Sequence, residues 1–441
     1  MLALRLTRGS HPAVQLRRLL VAVASAGTGF LLLCTLGYAM GHPDSPAAAA
    51  LRLAWCATPM AATVYFAVAV ARTDPATRPR PGLSAIGLGP GRLMAISATT
   101  TALACTLGSM LALLFFLHLR GDLTGMPFDG AAAEFLASEQ PLPLPAALTL
   151  LALVPVTASL AVALVLRPRD LRPTSGKGPA RSYGRFGAYG RSGAQETFGT
   201  YGRFGARLRG GGRNATEDGT TEQPEPTPDP DPSRPAAPRE APRGLPWGIA
   251  VLAAGLAVEA YASRAKDGGG LSLPGGLSDG PASVLVGWVL TAIGLALAGP
   301  GLTHLCGRLL QSVGPGALRL LAGRVLMEEA TRIGRPLGVV CAVASGGFAM
   351  TALYDADAPA FGPLTTLGGL LVTGCTVATL LTAALEAKHA RADTTAALLR
   401  LGAPATMLRS AAALRAGALL ALFLPLTLVI AELAALPLAG R

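Results

Sequence analysis

Charge is scarce in this chain. Only 14% of its 441 residues are Asp, Glu, Lys or Arg, while 51% are hydrophobic. A soluble domain carries roughly a quarter charged residues, and a disordered chain has too few apolar ones to look like this, so both classes are excluded. Aromatic residues are few, at 5%, and no run alternates apolar with polar in the way a membrane barrel strand must. Lysine is almost missing: Lys177, Lys266 and Lys388 stand among 37 basic residues, the rest arginine, a bias that suits a GC-rich bacterial genome. The net charge of +12 raises the idea of nucleic-acid binding, but most arginines lie beside apolar runs or in one polar segment, where the positive-inside rule accounts for them. No nucleic-acid partner is expected.

Catalytic and metal signatures are equally absent. No glycine-rich phosphate loop is followed by Lys-Ser or Lys-Thr, and SGKGP around Lys177 has the wrong spacing. No Ser-His-Asp set, paired carboxylates or zinc signature can be drawn. The six cysteines, Cys34, Cys56, Cys105, Cys306, Cys341 and Cys375, fall in or beside apolar runs without redox or metal-ligand spacing and read as small hydrophobes. The five histidines are scattered over separate loops. The chain is therefore expected to be no enzyme, with no catalytic residue, metal or cofactor.

What remains is a series of apolar runs of about 20 residues, each long enough to cross a hydrocarbon core about 30 Å thick as a helix. The fold class is all-α, a polytopic helical bundle with nine spans, or ten. Residues 1–18 carry Arg5, Arg8, Arg17 and Arg18 and no acid, which keeps the N-terminus cytoplasmic. Four helices are expected within 19–167, near 19–41, 48–71, 93–117 and 146–166. The segment 168–245 loses its apolar character; it repeats YGRFGA at 183 and 201 with YGRSGA between, then turns acidic and proline-rich, as a disordered cytoplasmic linker does. Two connecting helices follow in 246–300. The segment 301–335 reads as a cytoplasmic amphipathic piece lying at the interface, and three more helices occupy 336–441. Basic segments then fall inside and the acidic breaks outside, with the C-terminus outside. Glu259 and Glu432 are the acids within apolar runs; near the outer helix ends, both are placed within reach of water.

One stretch occurs twice in matching surroundings. LSAIGLGPGRLM, Leu83 to Met94, and LLRLGAPATMLR, Leu398 to Arg409, lie about 315 positions apart, each after a basic segment and between two apolar runs. Both keep the order leucine, glycine, proline, arginine. The arrangement implies a duplicated membrane unit related by an axis along the membrane normal. It also resembles the FtsX-like, MacB-type family of ABC transporter permeases, through ARTDPATRPRPGLSAIGLGPGRLMAISATTTALACTLGSMLALLFF and EAKHARADTTAALLRLGAPATMLRSAAALRAGALLALF.

That resemblance implies an FtsX-like four-helix unit in 19–167 and a three-helix unit in 336–441, in parallel pseudo-repeat. It implies a non-catalytic permease subunit in a bacterial cell membrane, working with a separate ABC ATPase subunit and arranged as a homodimer or an internal pseudo-dimer. The ATPase would be met by the stretches holding Leu83, Gly87, Pro90 and Arg92, and Leu401, Gly402, Pro404 and Arg409. The same residues also read as plain turns between helices. Both loops where family members carry a large external domain are only a few residues here, which points to a hydrophobic or amphiphilic substrate taken from the bilayer. The alternative is a non-transporting membrane scaffold or signalling subunit that recruits a cytoplasmic partner through its linker.

Overall fold

The computed structural model describes residues 12–74, 89–123, 130–167, 242, 244–262, 270–273, 277–312, 314, 316–353 and 362–439. Residues 1–168 and 239–441 form one compact unit; the second, 169–238, lies outside the described residues, as do the YGRFGA repeats. The described helices are α1 (Pro12–Gly41), α2 (Pro46–Trp55), α3 (Ala57–Thr73), α4 (Pro90–Arg120), α5 (Leu144–Leu166), α6 (Leu245–Ala262), α7 (Ala282–Ser312), α8 (Ala317–Leu353), α9 (Pro363–Ala390), α10 (Ala392–Arg400) and α11 (Ala405–Ala439). Two short antiparallel strands, β1 (Gly270–Leu273) and β2 (Leu277–Pro281), form the one departure from an all-α fold among the described residues.

Among the described residues, eight helical segments are long and apolar enough to span a membrane, with α2 and α3 counting together, and α6 is a shorter apolar helix. This is a multi-pass membrane protein with a helical bundle. Pro46, Pro90, Pro145 and Pro363 sit in the first helical positions of α2, α4, α5 and α9, where a missing N–H costs nothing. The break at Cys56 between α2 and α3 lies three residues before Pro59, whose ring would press on the carbonyl of Trp55 if the helix ran through.

Several helices are longer than a bilayer needs. At about 1.5 Å per residue, the 31 residues of α7 reach about 46 Å and the 37 of α8 about 55 Å. The amphipathic segment expected over 301–335, leading into the next span, is helical and does lead into it. Its residues extend α7 and α8 beyond the apolar core as a helical pair, and α8 runs unbroken through Pro336. All the charged side chains of α8, Arg319 to Arg335, lie in its first half.

Packing follows the same order in both halves. In the first, α1 lies mainly against α4 and more lightly against α3; in the second, α8 lies against α11 and α9. The main contact between these two sets joins α3 to α9. There the hydroxyls of Thr28 and Thr63 lie 2.9 Å apart, and Cys375 Sγ is 3.9 Å from Thr63 Oγ1. In the first set, Ser25 donates to the Cys105 carbonyl at 2.8 Å, and Ser109 to that of Leu151 at 3.1 Å. Leu33, Phe116, Leu136 and Leu151 close the core beside them. Arg120, buried at the end of α4, donates through Nη2 to the carbonyls of Ala137 and Gln140, so the segment 130–143 folds back onto the bundle. All six cysteines are buried and free.

The α6–α7 pair is an antiparallel seam built on glycine. Leu245 meets Gly301, Gly248 meets Ala298, Leu252 meets Gly294, Gly255 meets Thr291 and Glu259 meets Gly287. The positions advance by alternating steps of three and four, as in a coiled coil, with one glycine in every layer. A Cβ on Gly294 would sit 2.5 Å from the backbone nitrogen of Leu252, so only a bare backbone allows this approach. On another face of α7, Gly299 meets Gly334 and Gly307 meets Gly323, which binds α7 to α8 along its extended end.

Candidate functional site

The second copy of the repeated stretch is described in full. After α9, Arg391 turns the chain into α10, nine residues of which none is buried. Arg391, Thr395 and Leu398 are half-buried, while Leu399 and Leu401 face outward, 47% and 84% exposed. The helix ends in a Schellman motif: Gly402 N–H donates to the Leu399 carbonyl at 3.1 Å and Ala403 N–H to that of Leu398 at 3.0 Å. This closure needs a left-handed residue, and Gly402 supplies it with φ of +88°. Pro404 then precedes α11, its carbonyl accepting the Met407 N–H at 3.0 Å. Arg409 is exposed one turn further on. Leu401, Gly402, Pro404 and Arg409 are all exposed, the first three in the turn that follows α10 and the last on α11.

Of the first copy, Leu83 and Gly87 lie outside the described residues. Gly89 caps α4, its carbonyl accepting the N–H groups of Arg92 at 3.0 Å and Leu93 at 3.2 Å. Pro90 occupies the first helical position and Arg92 is exposed. In both copies a glycine followed by proline ends one piece of chain and starts the next long helix.

Each set of helices holds an ion pair that sequence reasoning missed. Asp74, the C-cap of α3, pairs with Arg18 near the start of α1, and Arg17 Nη1 donates to Thr73 Oγ1 at 3.4 Å. Arg391, the C-cap of α9, pairs through Nε with Glu329 of α8 at 2.8 Å and also donates to the Ala387 carbonyl at 3.0 Å. In each half the pair joins the end of the second membrane segment to the first helix of the set, with the charges exchanged. Glu329 and Asp74 are both largely buried. The signal in the sequence was weak: each is an acid within a basic stretch.

Glu259 corrects an expectation. Instead of reaching water, it is fully buried in the last layer of the α6–α7 seam, where Thr291 Oγ1 donates to its Oε1 at 3.0 Å and, among the described residues, Oε2 has no hydrogen-bond partner. Glu432 on α11 is exposed. Among the described residues, no group of three or more His, Cys, Asp or Glu side chains could hold a metal ion.

No protein-family model, curated protein or solved structure matches this chain.

Proposed function

We propose that this multi-pass membrane protein is the permease subunit of an ABC transporter of the FtsX-like, MacB-type kind, and that α10 with its closing turn is a docking element for a separate ATPase subunit. The observation that carries this reading is the exposed helix itself: nine residues with no buried side chain, ended by a rigid left-handed turn that presents Leu401 outward. A leucine 84% exposed next to Arg400 and Arg409 is a compact apolar anchor with a basic rim, the pattern of a small protein-binding knob. The Arg391–Glu329 pair gives such a knob a mechanical connection to α8, which is in turn held to α7 by facing glycines. Force applied at α10 would pass into the bundle through packed helices.

In this reading the basic end of the bundle, with the N-terminus and the 168–245 linker, faces the cytoplasm of a bacterial cell, and the chain itself performs no catalysis. The first-copy stretch from Leu83 to Arg92 would dock a second ATPase copy, making the two sets of helices an internal pseudo-dimer. The cargo would be hydrophobic or amphiphilic and enter from the bilayer, whose lipids meet the apolar face formed by Leu103, Leu107, Leu111 and Leu114 of α4.

The test is a pull-down of the detergent-solubilised full chain against the ATPases encoded in the same genome. Because Leu401 contributes almost nothing to the core, Leu401→Asp leaves the fold intact, and we expect it to reduce ATPase capture at least tenfold, an apparent loss of about 1.4 kcal/mol. Deleting 175–240 should leave capture unchanged. If that deletion abolishes partner binding while Leu401→Asp does not, the chain is a scaffold acting through its linker.

A further inference from the structure

The α6–α7 seam ends on a residue foreign to the rest of it. Four of its five layers oppose glycine to leucine, alanine or threonine; the fifth opposes Gly287 to a carboxyl group. A Cβ at position 287 would lie 2.4 Å from Glu259 Cγ, so the glycine makes the space that the acid occupies. Burial is complete, and the polar environment is thin: among the described residues one hydroxyl, Thr291 Oγ1, reaches Oε1, and no hydrogen-bond partner reaches Oε2. An ionised carboxylate has about four lone-pair sites to satisfy and needs a cation or several donors when removed from water. A neutral carboxylic acid needs far less. Its carbonyl oxygen accepts from Thr291, and a single O–H remains.

Among the described residues, the elements packed here bring no cation to this place: β2, which touches α7, carries only Asp279, and α8, also packed on α7, has no basic residue after Arg335. α7 has no titratable side chain from Ala282 to Thr303. α6 itself adds only Tyr261, which is exposed. α11, which also touches α6, has no basic residue after Arg415, and Glu432 there is exposed. Arg264, Lys266 and Asp267 follow α6 outside the described residues.

We propose that Glu259 is a proton-binding site within the membrane, neutral while α6 and α7 are closed on each other and able to release its proton only when the last layer of the seam opens to water. The ligand is a proton, and the coupled movement is a separation of α6 from α7 at the end of the seam, where β2 runs into α7. Nothing in this depends on an ATPase partner. The layer that opens is the last of the five, Glu259 against Gly287.

The experiment uses the full chain in lipid nanodiscs. Dicyclohexylcarbodiimide, an apolar reagent that adds to protonated carboxyl groups, is applied across a pH series, and adducts are mapped by mass spectrometry. We expect an adduct on the Glu259 peptide at neutral pH, absent in Glu259→Gln, with a yield falling about tenfold per pH unit above its midpoint. Exposed Glu134 serves as the unreactive control. In parallel, infrared difference spectra of wild type against Glu259→Gln should show the carbonyl stretch of a neutral acid at pH 7. A carboxylate band assigned to Glu259 at pH 7, or no Glu259 adduct at any pH, overturns the proposal. The labelling arm uses wild-type protein, so it stands even if the glutamine variant folds poorly.

Discussion

At the scale of single residues, glycine does two different jobs here. Gly402 is needed for its backbone angle: nothing lies within 4 Å of a Cβ built there, yet φ is +88°. Gly402→Ala should therefore cost about 1 kcal/mol of strain in the α10 turn, while Gly402→Asn, which tolerates the left-handed region, should cost less. Hydrogen exchange at the Gly402 and Ala403 amides reads this directly. Gly294 is needed for its lack of volume. Gly294→Ala forces α6 and α7 apart and should lower stability by about 1–3 kcal/mol, whereas Gly346→Ala, with open space around it, should leave the thermal midpoint unchanged. Gly402 was legible in the sequence, because a glycine ahead of a proline after a short leucine-rich stretch signals a helix end. Gly294 was not, because its reason for being glycine is Leu252 on another helix.

Among elements, the two charge-exchanged ion pairs tie the end of the second membrane segment to the first helix in each half. Glu329→Arg or Arg391→Glu alone leaves like charges together in a largely buried place and should destabilise the bundle by about 2 kcal/mol. The combined exchange restores an attractive pair and should recover most of that loss, as a double-mutant cycle followed by thermal unfolding in detergent would measure. If the pair also transmits docking, the single variants will loosen ATPase capture and the exchanged pair will regain it. The expected interfacial helix over 301–335 illustrates a limit of pattern reading. Charges at helical spacing mark an amphipathic helix, but they do not tell whether it lies flat on a bilayer or continues a span. The segment from Ala317 joins the following span as one helix, α8, and Gly307 against Gly323, with Gly299 against Gly334, holds it to α7.

For the whole molecule, the orientation proposed above puts the basic segments on one side of the membrane and the acidic breaks on the other, and two engineered cysteines test it. Thr394→Cys on α10 should react with an impermeant maleimide only in inverted vesicles, and Glu134→Cys only in intact cells, if α10 is cytoplasmic. Both positions are exposed, and the six native cysteines are buried, so background labelling is low. Labelling of both from the same side would break the proposed orientation and with it the docking reading.

The sequence by itself determined the membrane class, the approximate place of the apolar helices, and the site of the α10 turn; against the nine spans expected, or ten, eight helices among the described residues are long enough to span and α6 is shorter. Each depends on local facts: the length of an apolar run, the missing N–H of proline, the free backbone of glycine. Only the tertiary structure decided that the two halves meet through α3 and α9, that Asp74 and Glu329 have arginine partners, and that Glu259 is buried beside Gly287. These depend on which helix faces which, and hydropathy, nearly uniform around such helices, carries little record of that.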